Sequence, residues 1–238
     1  MAMNGLLVRV GIDQGCDHFK WNAPTSSDGD FAYVPIPERH ACHNNLQRRY
    51  DEFMPAVQRL NCTLPGHFLG ENVHLDPDFE TLTFGDQGQR GKRIRELKLN
   101  DFMAFYAGLR STAGTGDLVY ALIGLFIVAE ICNARDVPQN RWHENAHTRR
   151  RIIGENDVIV RALPGVSGRL RTCLPIGGYR DRAYRVTRDL LDVWGNLQIR
   201  NGYIQRSARL PRFCVAERFY EWFLRQQPEL LPSNNPAA

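Results

Sequence analysis

The sequence lacks the features that mark several large classes of protein. Its six cysteines form no Cys-x-x-Cys pair, so reduced thiols in a cytoplasm are expected rather than a disulfide framework. The longest β-rich apolar run, residues 118–131, has 14 residues, fewer than the roughly 20 of a membrane-spanning helix. The first residues do not show the basic, apolar and small-residue order of a targeting segment. We therefore expect a cytoplasmic protein that does not enter a membrane.

Linkers and repeats are missing as well. No Pro/Gly/Ser-rich linker, low-complexity tract or internal repeat divides the 238 residues. A chain of this length buries roughly 70–75% of its unfolded surface, which is enough for one large domain or two small ones. We predict a single domain over residues 1–228 and a loose tail over residues 229–238, because Pro228 follows the last helical pattern.

Lysine is nearly absent, since 27 of the 30 basic residues are arginine. The formal net charge is only +4, but residues 1–150 carry a net charge of −2 and residues 151–238 a net charge of +6. Arginine offers planar, bidentate donors that suit phosphates and base edges, although a genome rich in G and C would produce the same bias. The predicted DNA-binding residues are Arg169, Arg171, Arg180, Arg182, Arg206 and Arg209.

Apolar runs of strand length predict the fold. Residues 102–107 and 118–131 are two such runs joined by a small-residue connector, which predicts a buried antiparallel pair at the centre of a sheet. Gly124 in the second run predicts a bulge or a close backbone approach. Further predictions are strands over residues 6–12, 31–36 and 157–163, a hairpin turn at Asn201 and Gly202, and helices over residues 44–60, 92–97 and 215–226. The resulting class is α+β, a mixed, largely antiparallel central sheet flanked by helices.

Two carboxylates are the candidate catalytic residues. Asp13 ends the first predicted strand beside a glycine turn, which suits a catalytic carboxylate, while an Asp that caps a turn is the structural alternative. Asp78 belongs to His74-Leu75-Asp76-Pro77-Asp78-Phe79-Glu80, where three carboxylates and a histidine occur in seven residues. Neighbouring carboxylates raise one another's pKa, which suits acid–base chemistry or a metal, and the alternative is an exposed acidic turn.

Aromatic, amide and cationic side chains are the candidate contacts to a nucleobase. Trp21 and Asn22 share a loop in which an indole can stack on a base and an amide can bind its edge, unless Trp21 only covers the core. Arg110 follows the first run of the central pair, so it presents a charge at the rim of the core. The full set of predicted substrate-binding residues is Arg9, Trp21, Asn22, Tyr33, Tyr106, Arg110 and His147.

The segment His143-Glu144-Asn145-Ala146-His147 is a literal His-Glu-x-x-His sequence. In zinc proteases this motif lies on an amphipathic helix with a third ligand downstream, whereas the flanks here are polar throughout. A loop that contacts a base or a phosphate, or a plain surface loop, fits these flanks better. His40-Ala41-Cys42-His43 lacks partners for a metal site. We therefore predict no metal and no cofactor.

Several short motifs occur in an order that resembles a known family. They are Arg9-Val10-Gly11-Ile12-Asp13, Asp28-Gly29 followed by Pro35-Ile36-Pro37, His74-Leu75-Asp76-Pro77-Asp78, Phe84-Gly85-Asp86, Asn100-Asp101 with Phe105-Tyr106-Ala107-Gly108-Leu109-Arg110, and Leu210-Pro211 with Phe213. Together they span most of the chain and resemble the nucleotide modification associated domain family, third type, of phage and bacterial DNA-modification and defence neighbourhoods. Tyr106-Ala107 and Asp86 depart from the family pattern. The resemblance implies a protein that acts on, or recognises, modified bases in DNA.

Three functions are compatible with that resemblance: a DNA glycosylase that extrudes and excises a modified base, an enzyme that modifies the base further, and a non-catalytic reader. The glycosylase requires least, namely a carboxylate beside an oxocarbenium-like centre, a positioned water and contacts to the departing base. A base-modifying transferase would require a donor site, and the sequence has no Gly-rich phosphate loop, nucleotide fingerprint or recognisable metal set. We therefore predict a glycosylase that leaves an abasic site in DNA, with Asp13 as its carboxylate and Asp78 as the alternative.

Overall fold

The protein is described by a computed structural model over residues 3–13, 21–114, 116–205 and 210–236. Its strands are β1 (Gly5–Arg9), β2 (Pro24–Thr25), β3 (Ile36–Pro37), β4 (Val73–His74), β5 (Thr83–Asp86), β6 (Phe102–Ser111), β7 (Leu118–Asn133), β8 (Val158–Ala162), β9 (Gly168–Arg180), β10 (Ala183–Val186) and β11 (Leu230–Leu231). Its α-helices are α1 (Met54–Arg59), α2 (Gly88–Ile94), α3 (Ala146–Arg149), α4 (Arg188–Trp194) and α5 (Ala216–Arg225).

The centre of the fold is the antiparallel pair β6–β7, whose register runs from Phe102 opposite Ile127 to Arg110 opposite Leu118. The long strand β7 has two further partners, because its first half pairs with β9 and its second half with β8. On the other side of β6, strand β1 runs parallel, and β5 continues the sheet beyond β8. The sheet is thus mixed and largely antiparallel, with helices around it, so the predicted α+β class and its central pair are confirmed.

Side chains of β6 alternate between the two faces of the sheet, as the pleat of a strand requires. Met103 and Phe105 belong to a core cluster that also contains Val57 of α1, whereas Phe102 belongs to a second cluster with the aromatic residues of α4 and α5. The Phe102 and Phe219 rings stack with their centroids 5.1 Å apart. The helix predicted over residues 215–226 is therefore confirmed, and it covers the second face.

Gly124 is the bulge position that the sequence predicts. The pairing of β7 with β9 shifts register between Leu122 and Gly124. A Cβ atom at Gly124 would lie 2.5 Å from Cε1 of Phe79 and 2.8 Å from the carbonyl oxygen of Gly168. Only glycine therefore allows these two segments to approach β7 so closely.

The predicted strand over residues 31–36 is wrong as a continuous element. Phe31 forms an isolated bridge with Thr25, and only Ile36–Pro37 forms a strand, β3. Pro35 and Pro37 lack the N–H groups that a continuous ladder would need.

The predicted hairpin turn at Asn201 and Gly202 is wrong as well. Both residues have positive φ angles, 51° and 62°, but they lie in a 3-10 turn.

The helix predicted over residues 44–60 is shorter than expected. A 3-10 turn at Tyr50–Phe53 precedes α1, and Pro55 lies in the first turn of α1, where its missing N–H has no helical partner to lose. The helix predicted over residues 92–97 begins earlier, as α2, and ends at Ile94. None of the helices in the described ranges combines the length and the apolar character that crossing a bilayer requires.

The C-terminal segment packs on the sheet instead of forming the loose tail that we expected from residue 229. Leu230 and Leu231 pair with β9 as strand β11. Asn234 is 3% exposed, and its Nδ2 atom donates to Oδ1 of Asp78 at 3.0 Å. The segment is held by two backbone pairings with β9 and by hydrogen bonds of buried side-chain amides. Contacts of these kinds do not require a periodic pattern of apolar residues, so the sequence does not reveal them.

Candidate functional site

A cavity of about 530 Å³ opens where β1, the β3–β4 pair, β5 and helix α3 come together. Its volume is within the range of about 300–1,000 Å³ that small-ligand sites occupy. The wall combines Val10, Gly11 and Phe84 with a set of charged and imidazole side chains. The cavity therefore has the size and the polarity to hold a nucleotide-sized ligand.

Two histidines and one aspartate meet on the cavity wall. His74 ends β4, Asp76 follows it by two residues, and His147 lies in α3. The Oδ2 atom of Asp76 is 3.8 Å from Nε2 of His74 and 3.6 Å from Nε2 of His147. The two imidazole planes meet at 74°, with ring centroids 5.0 Å apart. We refer to these three residues as the His–Asp–His cluster.

Each histidine of the cluster is held through its other ring nitrogen. Nδ1 of His74 lies 2.7 Å from Oε2 of Glu38, and Nδ1 of His147 lies 2.7 Å from Oδ2 of Asp157. Arg150 contacts both carboxylates, with its Nε atom 3.3 Å from Glu38 and its NH1 atom 3.7 Å from Asp157. The NH2 and NH1 atoms of Arg150 also approach Nδ1 of His74 and of His147, at 3.2 and 3.4 Å. A carboxylate at Nδ1 favours the tautomer with its proton on Nδ1, which leaves Nε2, on the side of Asp76, as the acceptor.

Burial and charge set the protonation of the site. Burial lowers the pKa of His74 and His147 below that of an ordinary histidine, although their carboxylate partners act in the opposite direction. Burial raises the pKa of Asp76 well above its usual range. Burial also opposes the ionisation of Glu38, but its hydrogen bond to His74 and the charge of Arg150 lower its pKa to about 2. Burial therefore favours the neutral form of both imidazoles.

Local sequence explains how the cluster is assembled. The N–H of Gly85 in β5 donates to both Asp76 carboxylate oxygens, at 2.9 and 2.8 Å. A Cβ atom at Gly85 would lie 2.5 Å from Cδ2 of His147, so only glycine permits this packing. Asn145 begins α3 by accepting the N–H of His147 at 2.9 Å. A glycine in one strand and a capping amide thus bring distant parts of the chain together.

Four arginines line the same cavity, namely Arg9, Arg39, Arg90 and Arg150. Arg9 donates from Nε to Oδ2 of Asp13 at 2.7 Å, and Arg90 donates from Nε to Oδ2 of Asp86 at 2.6 Å. These carboxylates hold the guanidinium groups in place without removing them from the cavity wall. Guanidinium groups bind phosphate and base edges through paired donors, so the wall suits a nucleotide.

The structure separates the two predicted catalytic carboxylates. Asp13 is 2% exposed and holds Arg9, so it acts on the cavity through that arginine. Asp78 is fully buried outside the cavity wall, where its Oδ2 atom accepts from NH2 of Arg149 at 2.7 Å. Asp76, which lies two residues away in the same segment, lines the cavity together with Glu38 and Asp86, which bind His74 and Arg90.

Arg9 and His147 are the predicted substrate-binding residues that do line the cavity. Tyr33 and Tyr106 are buried elsewhere, and their hydroxyl groups donate to the carbonyl oxygens of Pro77 and Ile204 at 3.0 and 2.8 Å. Both phenols therefore have structural partners in the core.

The other predicted base contacts also lie away from the cavity wall. Trp21 packs against Phe68 with ring centroids 6.3 Å apart, which fits the alternative that it covers the core. Asn22 donates to the carbonyl oxygen of Gly108 at 2.8 Å. Arg110 donates to the carbonyl oxygen of Gly116 at 2.6 Å, beside the connector of the central strand pair.

The predicted DNA-binding arginines differ in accessibility. Arg169 was assigned wrongly, because it has no exposed surface and its guanidinium lies 3.7 Å above the Phe31 ring. Arg171 and Arg182 are exposed and Arg180 is half-buried, and Arg171 forms an ion pair with Glu229. Arg206 and Arg209 lie outside the described residues.

The sequence motifs considered for metal binding are reorganised in the structure. His143 is exposed and does not join His147, so the His-Glu-x-x-His spacing does not form a common site. His43 stacks on Trp142 with ring centroids 4.7 Å apart. His147 instead meets His74 and Asp76, a combination of residues that the prediction of no metal did not consider.

Sequence reasoning also missed Glu38, Asp157 and Arg150, which surround the cluster. The one available signal is the His-x-Asp spacing of His74 and Asp76, which the sequence presents as part of an acidic turn. Its partner His147 is 71 positions beyond Asp76, so no local pattern connects them.

Comparison with known proteins identifies a family. The sequence profile of the family described as nucleotide modification associated domain 3 matches residues 4–207, which include the whole cavity wall. No curated protein and no solved structure matches the chain.

Proposed function

Because this chain belongs to the nucleotide modification associated domain 3 family, we propose that it takes a modified nucleotide of DNA into the arginine-lined cavity and removes its base by hydrolysis. The family associates the chain with nucleotide modification. The observation that carries the proposal is the His–Asp–His cluster on the cavity wall, since it supplies buried polar groups beside the arginines. Enzymes that act on a base inside a duplex extrude it into such a pocket.

The arginines and the His–Asp–His cluster have different roles in this reaction. Guanidinium groups from Arg9, Arg90 and Arg150 bind the phosphate and the edges of the extruded nucleotide. The cluster holds a water molecule for attack at C1′ of the sugar. The water oxygen bonds to C1′ as the C1′–N bond breaks. The base leaves with the bonding electron pair and takes up the proton that the water gives up, and the DNA retains an abasic site with a hydroxyl group on C1′.

Asp76 replaces Asp13 and Asp78 as the carboxylate of this proposal. Asp13 is engaged by Arg9, and Asp78 is engaged by Arg149 and Asn234. A carboxylate that stabilises positive charge on the sugar or orients water has to line the cavity, as Asp76 does. Burial raises the pKa of Asp76, whereas the hydrogen bonds from the Gly85 N–H and the charge of Arg150 favour its ionised form.

The test is to incubate the purified protein with several modified phage DNAs and to measure free base by mass spectrometry. Wild type should release a base, and Asp76→Asn should slow that release about 10²- to 10³-fold while retaining DNA binding. Glu80→Gln, a change at an exposed carboxylate of the same segment, is the matched control and should release base normally. Absence of free base from every DNA would refute the glycosylase.

A second candidate is an enzyme that modifies the base without excising it. Two histidines with one carboxylate favour it, because that set of groups can bind a metal that supports such chemistry. The same incubation distinguishes the candidates if the DNA is then digested to nucleosides. A modified base gives a nucleoside of changed mass and no free base, whereas a reader protein gives binding alone.

A further inference from the structure

We propose that His74, Asp76 and His147 form the binding site of one divalent transition-metal ion. Neutral imidazole nitrogen and carboxylate oxygen are ligands for zinc, iron and related ions. Each residue of the cluster offers one ligand atom, and these atoms all lie within 4.8 Å of one another. The proposal uses the same cavity as the proposed function but does not depend on which reaction occurs there.

The distances in the cluster fit an ion better than they fit direct hydrogen bonds. The Nε2–Oδ2 separations of 3.6 and 3.8 Å are too long for hydrogen bonds. In a tetrahedral site, two ligands that each lie about 2.0–2.2 Å from a zinc ion are about 3.3–3.6 Å apart, at or slightly below the separations in the cluster. Small side-chain movements therefore suffice to bring all three atoms onto one ion.

The surroundings of the cluster have the organisation of a metal site. Histidine ligands of metals commonly donate their second ring N–H to a carboxylate, which fixes the orientation of the ring. Glu38 is placed to accept this hydrogen bond from His74, and Asp157 from His147, both at 2.7 Å. Neutralising buried charge would not require two separate carboxylates that each orient an imidazole. Here both imidazoles are oriented toward the same residue, Asp76.

Three protein ligands leave coordination positions open. Structural zinc sites fill their coordination with four protein ligands, whereas catalytic sites keep a position for water or substrate. The open positions here face the arginine-lined cavity, because all three ligands line it. An ion in this place would carry a water molecule whose pKa it lowers, next to the position of a bound nucleotide.

Direct measurement of metal binding, without DNA, tests the inference. Chelator-treated full-length protein is titrated with Co²⁺ by absorption spectroscopy and with Zn²⁺ by calorimetry. We expect one ion per chain and no sulfur-to-cobalt charge-transfer band. His147→Gln should weaken binding by more than the roughly 10–100-fold typical of outer carboxylates, and His143→Gln, an exposed residue four positions earlier, should not.

Each outcome of the titration either supports or overturns the proposed metal site. Binding lost in His143→Gln would assign the ion to the His-Glu-x-x-His segment, and wild type without binding would overturn the site. If circular dichroism shows that His147→Gln does not fold, Asp76→Asn gives the same comparison through a nearly isosteric change. One-to-one binding without release of any base would retain the metal site while the glycosylase fails.

Discussion

His147 and Asp157 are joined by a hydrogen bond of 2.7 Å between Nδ1 and Oδ2, ten positions apart in the chain. This bond places Nε2 of the imidazole toward Asp76 and gives Asp157 its low pKa in spite of burial. The ring is thus fixed by a residue that does not itself line the cavity. The orientation of His147, and not only its presence, should therefore determine what the cavity binds.

Asp157→Asn should weaken metal binding by about 10–100-fold without removing a ligand. The amide cannot stabilise the Nδ1–H tautomer as the carboxylate does, so the Nε2 lone pair is presented less reliably. Calorimetric titration with Zn²⁺ measures the change. Asp136→Asn, a change at an exposed carboxylate, is the control and should bind as wild type does. Equal affinities for the two variants would show that Asp157 does not orient the ring.

Gly85→Ala should disrupt the His–Asp–His cluster. The added Cβ would lie 2.5 Å from Cδ2 of His147 and 2.8 Å from Oδ1 of Asn145, so the α3 segment has to move. We expect lower metal affinity and a loss of stability of about 1–3 kcal/mol from overpacking, measured by titration and urea unfolding.

Gly66→Ala is the matched control for Gly85→Ala, because a Cβ at Gly66 meets no atom within 4 Å. It should leave both metal affinity and stability unchanged within about 0.5 kcal/mol. If Gly85→Ala behaves in the same way, the close approach between β5 and α3 is not required for the site.

The stability contribution of Glu38 should depend on pH. Its pKa falls from an ordinary 4.5 to about 2 in the folded chain, because the bond to His74 and the charge of Arg150 outweigh burial. A lowered carboxyl pKa stabilises the fold above pH 4.5, and this contribution is lost as pH falls toward 2. The stability advantage of wild type over Glu38→Gln should be largest above pH 4.5 and should shrink by at most about 1.4 kcal/mol per pH unit as the pH falls from 4.5 toward 2.

Urea unfolding of metal-free protein at pH 7, 5, 4 and 3 measures this difference. Glu80→Gln, at a side chain 47% exposed, is the matched control and should stay within about 0.5 kcal/mol of wild type. A constant difference between wild type and Glu38→Gln across these pH values would mean that Glu38 is not ionised through its contacts with His74 and Arg150.

The sheet was predictable from the sequence because it depends on local patterns. Apolar runs identified β6 and β7, and the glycine at position 124 identified a bulge, since both signals lie within a few residues. The site was not predictable in the same way. His147 reaches Asp76 only after β6, β7 and the following turns have placed α3 beside β5, and no short-range rule encodes that meeting.

Residue type also misled the prediction where burial decides the role. Arg169 and Asp78 have the chemistry of functional residues, but both are fully buried and their charged groups are bound by protein. The C-terminal tail contains short polar residues, which suggest disorder. Asn234 in this tail is nevertheless buried, where its side-chain amide donates a hydrogen bond to the carboxylate of Asp78. Sequence gives the chemistry of a side chain, whereas its role depends on which partners the fold provides.

Asp78→Asn should be a stability mutation and not a catalytic one. The change removes the charge that Arg149 meets at 2.7 Å, and Arg149 is itself 4% exposed. Breaking a buried ion pair from one side typically costs about 3–5 kcal/mol, because the remaining charge is left without compensation. Urea unfolding should show this loss, whereas Asp76→Asn should change stability much less. Unaltered stability with lost base release would instead restore Asp78 as the catalytic carboxylate.

DNA binding should depend on the exposed arginines of β9 and the following turn. Each phosphate that a cation neutralises releases counterions, so the logarithm of the affinity falls by about 0.9 per contact for each unit of log salt concentration. Arg171→Gln combined with Arg182→Gln should reduce that slope by about 1.8 and weaken binding at low salt. Fluorescence anisotropy with a DNA duplex measures the slope. Salt concentrations between roughly 50 and 300 mM cover the range in which such contacts dominate. Arg135→Gln, at another exposed arginine, is the control and should keep the wild-type slope. If the double variant keeps it too, DNA enters along a different surface, and the arginines of the cavity become the main phosphate contacts.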